Sequence, residues 1–129
     1  MWAGGWLACA RLCWRWRLAL NANNAKWSPD GSRIAFNSHD ETQPGENANL
    51  FTMNSHGSGL VQLTHFSAGD ANAHLGCWSH DGKRLVFELR GANGVSQLFI
   101  VDADGHHLRQ LTRLPDGANP SHASWSPIG

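Results

Sequence analysis

Eight histidines in 129 residues are the side chains best suited to chemistry in this sequence. Imidazole carries protons near neutral pH and is a common metal ligand. His74 and His122 precede Trp78 and Trp125 by four and three positions. In an extended strand that one-residue difference sends them to opposite faces, whereas on a rim loop both can converge on one ion or anion. His56 and the His106-His107 pair fall among turn residues, where a solvated imidazole is the plain reading. Asp102-Ala103-Asp104-Gly105 carries two carboxylates but lacks the third oxygen ligand and the downstream Glu of a hand-type calcium loop. It reads as a hairpin turn. No serine has glycine both two before and two after it, so the hydrolase nucleophile elbow is missing. Gly57-Ser58-Gly59 lacks the lysine and the strand-to-helix setting of a phosphate loop. The three cysteines, Cys9, Cys13 and Cys77, make neither a disulfide framework nor a complete zinc set. These patterns assign no catalytic residue and no cofactor, and leave His74 and His122 as candidate metal ligands.

Composition narrows the partners. Lys+Arg 10 balances Asp+Glu 10, and only 16% of residues are charged, so the clustered cationic charge that drives nucleic-acid binding is absent. No run approaches the ~18 apolar residues of a spanning helix, because Arg11, Arg15 and Arg17 interrupt the one rich segment. Seven Trp with no Tyr, and 14 Gly, point to short strands joined by turns.

The elements that must position these residues emerge from an internal repeat. Trp27-Ser28-Pro29-Asp30-Gly31 returns 51 residues later as Trp78-Ser79-His80-Asp81-Gly82, and begins again 47 residues on as Trp125-Ser126-Pro127. Ile34-Ala35-Phe36 recurs as Leu85-Val86-Phe87, Leu50-Phe51 as Leu98-Phe99, and Gln62-Leu63-Thr64 as Gln110-Leu111-Thr112. Asn21, Asn72 and Asn119 each lie six residues before a Trp. Turn residues cut each unit into four strands: 25–28, 33–37, 50–53 and 60–64 in the first, and 77–79, 84–88, 97–101 and 108–112 in the second. Such a unit, apolar on both faces, cannot bury itself alone, which is the logic of a propeller blade packed between neighbours. The expected fold is all-β: two four-stranded antiparallel blades (20–69 and 70–117) and the first strand of a third (118–129), after a non-repeat leader (1–19). Trp27, Trp78 and Trp125 are expected to pack between blades.

Trp27-Ser28-Pro29-Asp30-Gly31-Ser32-Arg33-Ile34-Ala35-Phe36, with Leu50-Phe51-Thr52-Met53-Asn54 and Gln62-Leu63-Thr64, resembles the TolB-like, WD-repeat-like propeller repeat. The second unit resembles it through Asp81-Gly82-Lys83-Arg84-Leu85-Val86-Phe87 and Gln97-Leu98-Phe99-Ile100-Val101-Asp102-Ala103-Asp104-Gly105. His80 departs from the family's Pro and Ile128 from its Asp. The resemblance implies a six- or seven-bladed ring in full-length relatives and a non-catalytic scaffold that binds protein or ligand through rim loops. Its alternatives are the propeller part of a serine peptidase, or of a metal-dependent polysaccharide lyase in which His74 or His122 holds the ion. It also implies a periplasmic or secreted setting, but residues 1–19 make a poor secretory signal and the cytoplasm is the alternative, so the sequence leaves the compartment open.

Residues 1–19 hold four Trp and three Arg with no acidic residue, and are foreign to the repeat. A secretory signal, an amphipathic surface helix and a leader without evolved role are the alternatives. Open blade faces and unpaired strand edges predict further blades or other protein chains as partners, and self-association.

Overall fold

The computed structural model describes residues 22–38, 48–67, 71–120 and 123–126. Among them are two four-stranded antiparallel sheets and no helix. The first holds β1 (Asn23–Trp27), β2 (Arg33–Ser38), β3 (Asn49–Asn54) and β4 (Val61–Gln62), side by side in chain order. The second repeats that order with β5 (Ala71–Trp78), β6 (Arg84–Gly91), β7 (Ser96–Asp102) and β8 (Arg109–Gln110). The all-β, two-blade expectation therefore holds. Its boundaries shift: β5 begins six residues ahead of the expected Cys77, because Ala71 already pairs with Gly91, while β4 and β8 shrink to two residues each. Residues 123–126, expected to open a third blade, form no strand. The leader 1–19 and the Pro44-Gly45 loop lie outside the described residues.

The repeated motifs have local physical jobs. In the first β-turn, Ser28 donates its hydroxyl to Asp30 Oδ1 at 2.7 Å and accepts the Arg33 N–H at 3.0 Å, while Asp30 Oδ1 accepts the Ser32 N–H at 3.0 Å. Gly31, at φ 71°, completes the reversal. Ser79, Asp81 and Arg84 reproduce this set, so His80 in place of Pro does not loosen the turn.

Gln-Leu-Thr fastens the short outer strand. Thr64 Oγ1 accepts the Leu50 N–H at 2.9 Å and donates to Asn49 Oδ1 at 2.9 Å. The Asn49 amide then pairs with Phe66 as a backbone unit would, accepting its N–H at 2.8 Å and donating to its carbonyl at 3.2 Å. Thr112, Gln97 and Leu114 make the same clamp in the second sheet. Side chains thus continue a ladder that the backbone has left.

The core lies between the sheets. β5 packs on β1, β2 and β3, and the cluster joins Ala35, Leu50 and Leu63 of the first blade to Leu75, Trp78, Leu85, Phe87 and Val101 of the second. Cross-strand pairs Phe36–Phe51 and Phe87–Phe99 stack at 5.7 and 5.8 Å. Equivalent positions differ in burial. Trp78 is 7% exposed and Trp27 61%; Leu63 is 3% exposed and Leu111 45%. Packing between blades therefore describes Trp78 and not Trp27, which has no described blade on its far side.

Candidate functional site

Both first strands bulge where the blades meet. In β1 the register shifts between Asn23 and Lys26, and Asn24 takes φ 59°, a conformation Asn tolerates better than most side chains. Its amide donates to the Leu75 carbonyl across the seam at 2.9 Å. In β5 the shift falls between Leu75 and Cys77. Gly76 is required there: a Cβ would lie 2.8 Å from the Val86 carbonyl oxygen and 3.3 Å from that of Ala123. The bulge brings Leu75 and Trp78, three apart, into one core and leaves His74 exposed.

Between the bulges opens a cleft of about 360 Å³ lined by Asn24, Lys26, His74, Leu75, Gly76, Glu88 and Ala123. His74 stands opposite Glu88 in the β5–β6 ladder. One ammonium, one carboxylate, one imidazole and one amide, beside Gly76 and Ala123, suit a ligand with both donors and acceptors. Among the described residues, no group of three or more His, Cys, Asp or Glu is placed to hold a metal. His122 lies outside the described residues, so its expected convergence with His74 has no geometry.

A second cleft, of about 530 Å³, is lined by Arg33 and by the Asp81–Arg84 and Asp102–Asp104 turns. Its arginines are engaged in holding the seam. Arg33 Nη2 donates to Thr52 Oγ1 at 2.7 Å and to the Ala103 carbonyl at 3.2 Å, and its guanidinium sits 6.0 Å from the Trp78 ring centre. Trp78 Nε1 donates to the Lys26 carbonyl at 3.0 Å. Arg84 repeats the stacking, 5.3 Å over Trp125. Sequence reading gave neither arginine a role, although both lie six residues after a repeated Trp. It also passed over Asn24, Lys26 and Glu88; the signal for Glu88 was its place opposite His74, legible only with the β5–β6 register.

The remaining described histidines are exposed, and some of them have individual ties. His56 is exposed in the β3–β4 turn. His107 is exposed, yet its Nδ1 lies 2.6 Å from Asp102 Oδ2, and that hydrogen bond, ahead of the carboxylate's charge, raises its pKa. His80 Nε2 lies 2.7 Å from the Ser126 carbonyl oxygen, tying the second blade to residues 123–126. Burial is the main cause raising the Cys77 thiol, in keeping with a packed, unreactive cysteine.

The turn carboxylates titrate with the fold. The Ser28 hydroxyl first, then the Ser32 N–H and hydroxyl, lower Asp30 from 3.8 to about 2. Asp81 is lowered chiefly by Ser79, and Asp104 by the His106 N–H. Depressed folded values place this stabilisation above the ordinary carboxylate range and remove it as pH falls through the folded value. The melting temperature should accordingly fall from pH 4 toward pH 2, and a protein carrying Asp30→Asn and Asp81→Asn should show a shallower fall in the same acid titration. Parallel curves for the two proteins would contradict this role.

No family model matches the chain. It is 29% identical over 112 residues to the uncharacterized peptidase YuxL of Bacillus subtilis, covering 85% of this chain and 16% of that protein. It is 36% identical over 92 residues to dipeptidyl-peptidase 5 of Porphyromonas endodontalis, covering 70% of this chain and 13% of that one. The chain thus spans less than a fifth of these relatives. A solved structure assigned to TolB from Agrobacterium tumefaciens is similar at a TM-score of 0.54 and 21% identity, over 69% of this chain and 32% of that one. The fold is TolB-like and of the β-propeller type.

Proposed function

We propose that the chain is a non-catalytic propeller segment that binds short peptide stretches of a partner in the cleft between the two bulged first strands. The observation that supports this reading is the cleft's make-up. Lys26, His74 and Glu88 line it together, with His74 and Glu88 directly opposite each other in the β5–β6 ladder, and backbone hydrogen bonds on strands hold them in place. A peptide offers the matching chemistry, carbonyl oxygens for Lys26 and amide hydrogens for Glu88. A rigid strand scaffold also binds without having to order itself first.

Titration of the labelled protein with tetra-alanine, followed by amide NMR, tests the reading. The account expects shifts gathered at Lys26, His74 and Glu88, abolished when Lys26→Ala and Glu88→Ala are combined. No shift at millimolar peptide, or shifts confined to other surfaces, would overturn it.

A second reading rests on the peptidase names of the two relatives. In it the blades are the propeller part of a serine peptidase and the cleft meets substrate peptides on their way to a nucleophile that the repeat does not carry. Hydrolysis of dipeptidyl naphthylamides by the protein isolated from its source, lost with a serine-directed inhibitor, would favour it.

A further inference from the structure

The turns that join the third and fourth strands share one backbone plan in both blades and differ at two side chains. Asn54 N–H donates to the Ser58 carbonyl and Gly57 N–H to the Asn54 carbonyl, both at 2.8 Å; Asp102 to His106 and Gly105 to Asp102 repeat these bonds at 2.9 Å. Each turn is also tied to the start of the second strand, through Ser55 N–H to the Ser32 carbonyl at 2.9 Å and Ala103 N–H to the Lys83 carbonyl at 2.8 Å. Both turns end in the left-handed region. The first does so with Gly59 at φ 64°, where a Cβ would lie 2.8 Å from Asn54 Nδ2. The second does so with His107 at φ 54°, a conformation that a side chain disfavours. An ion pair stands in for the freedom of glycine: His107 Nδ1 lies 2.6 Å from the Oδ2 of Asp102, the residue equivalent to Asn54. A strained residue held by a titratable partner has the make-up of a switch.

The second turn also clasps the first blade. Arg33 Nη2 donates to the Ala103 carbonyl at 3.2 Å, and a Cβ on Gly105 would lie 3.4 Å from the carbonyl oxygen of the buried Leu63. We propose that the His107–Asp102 pair is a pH-operated latch on this clasp, closed when the imidazole is protonated and loosened when it loses its proton. In the closed form an imidazolium donates its Nδ1–H to a carboxylate of opposite charge. Loss of the proton removes that charge, and the neutral ring keeps the bond only in the tautomer with its hydrogen on Nδ1. The turn can then leave the left-handed geometry at His107 and loosen its hold on Leu63 and Arg33. The groups facing the pair are Asp104 and His106 of the same turn and, around the cleft that Asp102 lines, Asp81, Lys83 and Arg84 of the β5–β6 turn and Arg33 of β2. The Asp102 hydrogen bond, then its charge, raise the His107 pKa, and the charge of Asp104 adds to the rise. A folded value raised above 6.5 makes the stabilisation complete below the ordinary imidazole range and removes it as pH rises through the folded value. With Asn54 and Gly59, the first blade's turn carries neither member of the pair and is the reference inside the same molecule.

Amide exchange in the 129-residue protein, expressed as protection relative to the unstructured rate at each pH, tests the latch. Protection at Ala103 and Gly105 should fall about threefold between about pH 6 and pH 8.5, the size of effect an exposed ion pair supports, while Ser55 and Gly57 of the first turn hold theirs. His107→Gly puts the residue type of the first turn at a position already in the left-handed region, so the turn should stay folded and its protection become independent of pH. Asp102→Asn should lower the midpoint of the His107 ring titration, followed by NMR, and hold Ala103 and Gly105 near their high-pH protection throughout. Equal pH responses in the two turns, a response at Ala103 and Gly105 that survives His107→Gly, or the same His107 midpoint with and without Asp102→Asn would overturn the latch.

Discussion

Replacing Phe87 with Ala is expected to remove a large share of the chain's folding stability. Phe87 is fully buried on β6, stacks on Phe99 at 5.8 Å and belongs to the cluster that joins both sheets. Truncating such a ring costs about 3–5 kcal/mol, from lost transfer free energy plus the cavity left behind. A domain of this size holds only about 5–15 kcal/mol in total. Collapse into the void is restricted, because Leu85, Val101 and Leu50 around it are themselves fully buried. Urea unfolding should show the midpoint drop sharply with little change in slope. A loss under about 1 kcal/mol would mean that the two sheets do not share this core.

The second large effect is expected at a hydroxyl. Thr64→Val keeps the side chain's shape but removes the oxygen that accepts the Leu50 N–H and donates to Asn49. Leu50 is fully buried, so its amide is left without a partner, and a buried unpaired donor costs about 1–3 kcal/mol. The clamp at Asn49 loosens with it, releasing Phe66 and the end of β4. Amide exchange should therefore accelerate selectively at Leu50, Leu63 and Phe66, while β6 and β7 keep their protection. Thr112→Val should do the same at Leu98 and Leu114. Uniform acceleration across both sheets would contradict a local clamp.

These two cases also show what the sequence made legible. The period near fifty residues, the Asp-Gly turns and the alternation around Phe36 and Phe87 were enough for strand count, order and pairing, because each is a local pattern that recurs. Thr64 and Thr112 were visible as part of a repeated Gln-Leu-Thr, but their job was not, since it depends on which strand lies beside them. Gly76 and Asn24 were harder still. A bulge breaks the two-residue alternation that strand reading relies on, and it moved His74 away from the register expected for it. Arg33 and Arg84 recurred at a fixed distance from Trp, yet an arginine at a strand start reads as surface charge until the next blade supplies the ring beneath it. Burial at equivalent positions, Trp27 against Trp78 and Leu111 against Leu63, is set by neighbours rather than by residue type.

The central claim is that two like sheets stack face to face, with the arginine of one capping the tryptophan of the next. Nuclear Overhauser contacts in the labelled protein test it most directly. The account predicts contacts from the Phe36 ring to Phe51 and from the Phe87 ring to Phe99 within each sheet, together with contacts between sheets from the Trp78 indole to the Arg33 side chain and to Lys26. Intact contacts within the sheets, with a Trp78 indole that reaches neither Arg33 nor Lys26, would contradict the stacking on which the cleft depends.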